Sequence, residues 1–197
     1  VLLDRDGVLI EDVHLLVDAS RIRILPTVVE ALDRLHRAGL VLVVVSNQPV
    51  VARGLLDEAG VEALQREVER RLVDAGAPRL DGFFYCPHHP NATLPAYRRD
   101  CDCRKPRPGM LLRAAAEHGL ELGASFMVGD RLTDVAAGRA AGVRTVQVLS
   151  GKHQAPPIVT AEPLDPDLRP DHRCQTLADA ADWILASSGS AVRGGSS

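Results

Sequence analysis

Aromatic residues are scarce in this sequence: Phe, Tyr and Trp together make up 3% of its 197 residues. Proteins that bind nucleic acid stack bases on aromatic rings and spread cations over one face. With a net charge of −3 as well, the chain is not expected to bind nucleic acid. Long apolar runs are also missing, and none approaches the ~20 residues of a membrane helix. No charged-then-apolar leader precedes the first apolar run, so no secretion signal is read and the expected location is the cytoplasm. Four cysteines without such a leader do not make a disulfide framework.

What is present is a globular composition. Hydrophobic residues make up 46%, enough for a core of its own. Apolar runs alternate with segments of helical period. Val1 to Leu3, Leu40 to Val45, Gly82 to Tyr85, Ser125 to Val128 and Val143 to Leu149 read as strands. The unbroken β-branched run at 40–45 indicates burial on both faces, as in a parallel sheet. A short extended piece is read at Arg21 to Leu25.

Helices are expected from Pro26 to Gly39, over residues 57 to 75 with Asp57 as cap, and from Pro108 to His118. Two more are expected at Asp134 to Ala141 and at Leu177 to Ala186, the last with Trp183 buried. Alternation of this kind predicts an α/β fold, a doubly wound parallel sheet of about five strands. One domain is read over residues 1–186. Residues 151 to 172 read as an extended surface segment, and the Ser/Gly tail at 187–197 as disordered.

Polar residues gather where the strands stop. Asp4 and Asp6 end the first, Ser46-Asn47-Gln48 the second, and Asp130 with Asp134 the fourth; Arg104-Lys105 precedes a helix. The C-terminal edge of a parallel sheet is where ligands sit. Asp-x-Asp alone is more often a solvated turn. Together the clusters offer a nucleophile, an acid/base, phosphate holders and a hard-metal ligand, a set suited to phosphoryl transfer through an aspartyl-phosphate. Asp134 reads equally well as the cap of the next helix.

A proline-rich loop at 86–107 holds a second set. Cys86 and a histidine, His88 or His89, are followed after twelve or eleven residues by Cys101-Asp102-Cys103. Three thiols and one imidazole make a closed structural zinc site that would fix a loop with little apolar content. Cys174 lies apart and reads as a buried or free thiol.

In their order, Asp4-Arg5-Asp6-Gly7, Ser46, Lys105 and Gly129-Asp130-Arg131-Leu132-Thr133-Asp134 resemble the four motifs of the haloacid dehalogenase superfamily of phosphatases. The resemblance covers roughly residues 1 to 150. It implies that Asp4 attacks phosphorus and that Asp6 protonates the leaving group, then activates water. It implies that Ser46 and Lys105 hold the phosphoryl oxygens. Mg²⁺ would be held by Asp4, the Asp6 main-chain carbonyl and Asp130.

Within that superfamily, Cys-Pro-His-His-Pro and Cys-Asp-Cys-Arg-Lys-Pro-Arg-Pro-Gly-Met look like the D-glycero-D-manno-heptose 1,7-bisphosphate 7-phosphatases. That likeness favours Cys86, His88, Cys101 and Cys103 as the zinc set. It implies a small sugar-phosphate substrate, no large cap domain, and substrate contacts from Asn47, Gln48, Arg53, Arg104 and Arg131. Arg104 would read the second phosphate. Arg131 stands where the family has lysine. A monomer is expected.

Two departures fall on the sugar side. Pro49-Val50 replaces Ser-Gly, and Val13-His14-Leu15 replaces a polar-aromatic loop. Histidinol-phosphate phosphatases share the four motifs and the zinc loop, but Pro108-Gly109-Met110 favours the heptose group. Polynucleotide 3′-phosphatases share Asp-x-Asp-Gly and are disfavoured by charge and aromatic content. A catalytically silent module that binds a partner through its zinc loop is the reading from another class.

Overall fold

The structure, a computed structural model, describes residues 1–152 and 163–189. Six strands form one parallel sheet: β1 (Leu2–Leu3), β2 (Val43–Asn47), β3 (Gly82–Cys86), β4 (Phe126–Gly129), β5 (Arg144–Val148) and β6 (His172–Cys174). Their spatial order is β3-β2-β1-β4-β5-β6. The order reverses at β1, between β2 and β4, so a crevice opens at the carboxyl ends of these strands.

Five helices cover the sheet: α1 (Val28–Arg37), α2 (Glu58–Asp74), α3 (Gly109–His118), α4 (Leu132–Ala141) and α5 (Leu177–Gly189). Strand side chains alternate faces. Leu3, Val44, Val128 and Val146 point into a core shared with α1, α2 and α5. Leu2, Val43, Val45 and Met127 point the other way, against α3 and α4. Two apolar layers therefore clamp the sheet and hold its polar strand ends at one rim.

The expected sheet gains one strand. β6 carries His172-Arg173-Cys174 and pairs with β5 through Val146↔His172 and Val148↔Cys174. Its edge position needs only one neighbour, which is why no apolar run announces it. Trp183 is half-buried rather than buried, because its ring stacks on His172 of that edge strand at 5.0 Å between centroids.

Helix α4 begins at Leu132, two residues before its expected start. The extended piece at 21–25 is a 3₁₀ turn over Ala19–Arg21 followed by a single bridge, Ile10 to Ile24. Helix α5 runs on to Gly189, so residues 187–189 of the tail expected at 187–197 are helical. Residues 190–197, and residues 153–162 of the segment expected at 151–172, lie outside the described residues. No insert of domain size interrupts the described elements, and none of their helices is long and apolar enough to cross a membrane.

Candidate active site

Backbone pairing places the first motif. Asp4 continues β1 by donating its N–H to the Val128 carbonyl at 2.9 Å. Its carboxylate Oδ1 takes the Arg5 N–H at 2.7 Å and lies 3.0 Å from Lys105 Nζ. Lys105 is 1% exposed. Its ammonium also donates to the Val45 carbonyl at 2.8 Å and lies 2.7 Å from Asp134 Oδ1. Residues a hundred positions apart thus meet at one rim.

Asn47 fixes where that lysine starts. Its amide accepts from the Lys105 N–H at 3.1 Å and donates to the Lys105 carbonyl at 3.0 Å. Ser46 ends β2 beside it, and Gln48 Nε2 donates to Ser46 Oγ at 2.8 Å and to Asp6 Oδ2 at 3.0 Å. Asp6 also faces the Arg5 guanidinium, with Arg5 Nη2 2.9 Å from Oδ2. Asp134 is not the cap of α4 but its third residue: it accepts from the N–H of the capping Arg131 at 3.0 Å, closing the first turn, while its other oxygen meets Lys105.

Asp130 is fully buried at the end of β4. One oxygen accepts from the Lys152 N–H at 2.6 Å; the other, Oδ1, has no hydrogen-bond partner. A buried carboxylate oxygen left without a partner is costly. Burial, then the neighbouring Asp134 and Asp4, push its pKa up to about 8. Burial likewise raises Asp4, against the pull of Lys105. For Lys105, burial disfavours the charge, but Asp134 and Asp4 outweigh it and the net shift is upward.

Asp4 and Asp134 share one ammonium and Asp130 lies beside them without it, so a further positive charge fits the site. Carboxylate oxygens of Asp4, Asp130 and Asp134 lie within 4.8 Å of one another. Hard oxygen donors in that number suit Mg²⁺. Gly7 makes the approach possible: it sits at φ +86°, and a Cβ there would lie 2.6 Å from Asp130 Oδ2.

Above this floor opens a cleft of about 970 Å³. Arg53, His89, Arg104, Arg131 and Lys152 line it. Lys152, and Asp12 which also lines the cleft, were not singled out from sequence as site residues. Lys152 Nζ bonds Asp12 Oδ1 at 2.8 Å, and Arg131 Nη2 meets Asp12 Oδ2 at 3.2 Å, so one carboxylate holds both cations at the mouth. Only the run Asp12 to Leu15 marked that loop in the sequence; the partners are 119 and 140 residues away.

His89 turns into the cleft, away from the thiols. It accepts the Asn91 N–H on Nδ1 at 3.0 Å, and burial, Arg104 and Arg53 lower its pKa. Arg104 is anchored by donating to the His88 carbonyl at 3.2 Å.

The wall of the cleft is the 86–107 loop. Sulfur atoms of Cys86, Cys101 and Cys103 stand 3.2–3.6 Å apart. His88 Nδ1 lies 3.4 Å from Cys103 Sγ. These spacings are far beyond the ~2.05 Å of a disulfide bond. They approach the roughly 3.8 Å edge of a tetrahedron with ~2.3 Å zinc–sulfur arms. A sulfur contact from Cys86 pushes Cys103 down to about 5, while that contact and burial push Cys86 up. The donor set and its spacing fit zinc.

Known proteins resemble this chain in sequence and fold. A family model described as HAD-hydrolase-like matches residues 102–180. A D-glycero-beta-D-manno-heptose-1,7-bisphosphate 7-phosphatase from Photorhabdus laumondii is 43% identical over 77% of this chain and 81% of its own length. The protein of the same name from Escherichia coli is 38% identical over 95% of this chain and 88% of its own. The crystal structure of D,D-heptose 1,7-bisphosphate phosphatase from B. bronchiseptica, complexed with magnesium and phosphate, superposes with a TM-score of 0.78 at 32% identity. It covers 95% of this chain and 98% of that one. Sequence and fold agree, and the chain belongs to the haloacid dehalogenase superfamily as a phosphoric monoester hydrolase, in the family of these heptose bisphosphate phosphatases.

Proposed function

We propose that this enzyme removes the 7-phosphate of D-glycero-β-D-manno-heptose 1,7-bisphosphate with Mg²⁺, by way of a phosphorylated Asp4. The observation that carries the reading is the meeting of Asp4, Lys105, Asp130 and Asp134 at one buried rim below a cationic cleft. The names of the relatives supply the sugar and its anomer.

Asp4 Oδ1 is held by the Arg5 N–H and Lys105, which leaves Oδ2 to attack phosphorus in line. Lys105 Nζ and Ser46 Oγ bind the transferring oxygens. Asp6, hydrogen-bonded but a quarter exposed at its side chain, gives a proton to the departing alkoxide and takes one from the water that cleaves the acyl phosphate. Asp4, the Asp6 carbonyl and Asp130 would hold Mg²⁺, which supplies positive charge against the charge gathering on the phosphoryl oxygens. Cys86, His88, Cys101 and Cys103 would hold one zinc ion as a fixed wall.

For the far phosphate, Arg53 and Arg104 are the better candidates, because Asp12 already engages both Arg131 and Lys152. A guanidinium binds such a group bidentately. Asn47 and Gln48 act through Lys105, Ser46 and Asp6, the groups their amides bond.

A kinetic comparison of the α- and β-anomers of the heptose bisphosphate with histidinol phosphate tests the reading. The β-anomer should have the highest kcat/KM, by about tenfold or more, a difference of about 1.4 kcal/mol. Higher turnover of histidinol phosphate would replace the proposed substrate. No turnover of any ester with Mg²⁺ would leave the silent binding module.

A further inference from the structure

Arg5 lies between the two carboxylates of the first motif, and its side chain is 1% exposed. A buried guanidinium costs several kcal/mol unless a charge partner offsets it. Its only ion-pair partner among the described residues is Asp6. Arg5 Nη2 reaches Asp6 Oδ2 at 2.9 Å, Asp6 Oδ1 at 3.2 Å and Gln48 Oε1 at 3.0 Å. Nε and Nη1 are buried and have no hydrogen-bond partner. Meanwhile the Arg5 main-chain N–H holds Asp4 Oδ1. One residue therefore touches the nucleophile with its backbone and the neighbouring acid with its side chain.

The contacts on Asp6 are unequal. Oδ2 receives two close donors, Arg5 Nη2 and Gln48 Nε2; Oδ1 receives only the longer 3.2 Å contact. A carboxyl oxygen filled by two donors has little room for a proton of its own. We propose that Arg5 is a positioning residue for the reaction: with Gln48 it locks Asp6 Oδ2 as an acceptor, so that Oδ1 is the oxygen that carries the proton. This rests on the reading of Asp6 as the acid/base.

In the first step the bond from phosphorus to the alcohol oxygen breaks as Asp4 binds phosphorus. The proton leaves Asp6 Oδ1 for that oxygen, and the new carboxylate faces the guanidinium. In the second step water attacks phosphorus, its proton goes to Asp6 Oδ1, and the bond from Asp4 to phosphorus breaks. Charge appears on Asp6 during the first transfer, so a fixed cation beside it stabilises that transition state without moving.

The test separates leaving groups. p-Nitrophenolate departs without help, whereas an alkoxide needs the proton. Arg5→Met should slow turnover of an alkyl phosphate by ~10²-fold, at the low end of general-acid contributions. The pre-steady-state burst of p-nitrophenolate from p-nitrophenyl phosphate should fall less than about tenfold, and KM should stay within about threefold.

Asp6→Asn is the control. If it too shows no leaving-group dependence, the acid/base reading of Asp6 fails. If Asp6→Asn is selective and Arg5→Met is not, the role given to Arg5 fails. Should Arg5→Met not fold, Arg5→Lys decides. It keeps the charge, but its ammonium ends one bond short of Nη2, the guanidinium nitrogen that reaches Asp6, and it should still raise the ratio of burst rate to alkyl-ester turnover by about fivefold or more. An unchanged ratio overturns the proposal.

Discussion

Two clusters of chemically active side chains face the same cleft, and they are supported in opposite ways. Asp4 and Asp130 stand just past strand ends, and Asn47 at the end of β2 holds Lys105, so apolar layers support the floor whatever its own chemistry. Leu2, Leu3, Val43 and Val128 are 0% exposed beneath them. The 86–107 loop has less: Cys101 and Cys103 pack against one apolar layer and Tyr97 against a small cluster, and beyond the end of β3 its one regular element is the 3₁₀ turn Pro95–Tyr97. There the donors Cys86, His88, Cys101 and Cys103 supply the cohesion. Removing a group from the floor should change chemistry and leave the fold; removing one from the loop should do the reverse.

The sharpest break of that contrast is at Asp4. Asp4→Asn should lower turnover by at least ~10³-fold, since the nucleophile is gone. Its melting temperature should stay within about 3 °C, because the change removes a like charge from a crowded site and Lys105 keeps Asp134. A large drop in melting temperature, followed by calorimetry, would place the floor's stability in its charges after all.

Next in size is the loop. Elemental analysis should find one zinc per chain. Cys101→Ala, or strong chelation, should cost about 3 kcal/mol, roughly 6–12 °C. Turnover of p-nitrophenyl phosphate at 20 °C should survive to within about tenfold. Full stability without metal would mean that Tyr97 and Tyr85, which both donate to Glu58 at 3.0 and 2.9 Å, hold the loop unaided.

A pH experiment sharpens the comparison further. In metal-free protein Asp130 has its pKa raised from 3.8 to about 8. Between those values the folded chain keeps a proton that the unfolded chain releases, so stability should fall as pH rises from about 4 to about 8. Mg²⁺ needs that proton gone, so its affinity by calorimetry should weaken up to tenfold per pH unit below about 8. A pH-independent affinity would remove Asp130 from the ligand set.

The smallest effect is expected at the mouth. Asp12→Asn should raise KM for the sugar bisphosphate by about 3–10-fold as Arg131 and Lys152 lose their shared partner, with kcat nearly unchanged. That is the ~1 kcal/mol of a partly exposed ion pair.

Most of the floor was legible in the sequence because its parts follow apolar runs: Asp4 after Leu2-Leu3, Ser46 after Val43 to Val45, Asp130 after Met127-Val128. β6 was not legible, since an edge strand pairs through its backbone and His172-Arg173-Cys174 has no apolar pattern. The start of α4 was missed because Asp134 closes its first turn from the third position rather than the cap. Spacing left His88 and His89 open. Only the fold shows one imidazole among the thiols and the other in the cleft. Asp12, Lys152 and the side chain of Arg5 gain their roles from partners that local pattern cannot see.

Asn47 has a longer reach than its own two bonds. By answering both the N–H and the carbonyl of Lys105, its amide behaves like one more rung of the sheet, with the ammonium riding on it. The neighbouring wall can then be lengthened, shortened or rewritten over generations while that charge keeps its station. A fold so anchored can change what it admits without relearning how to cut.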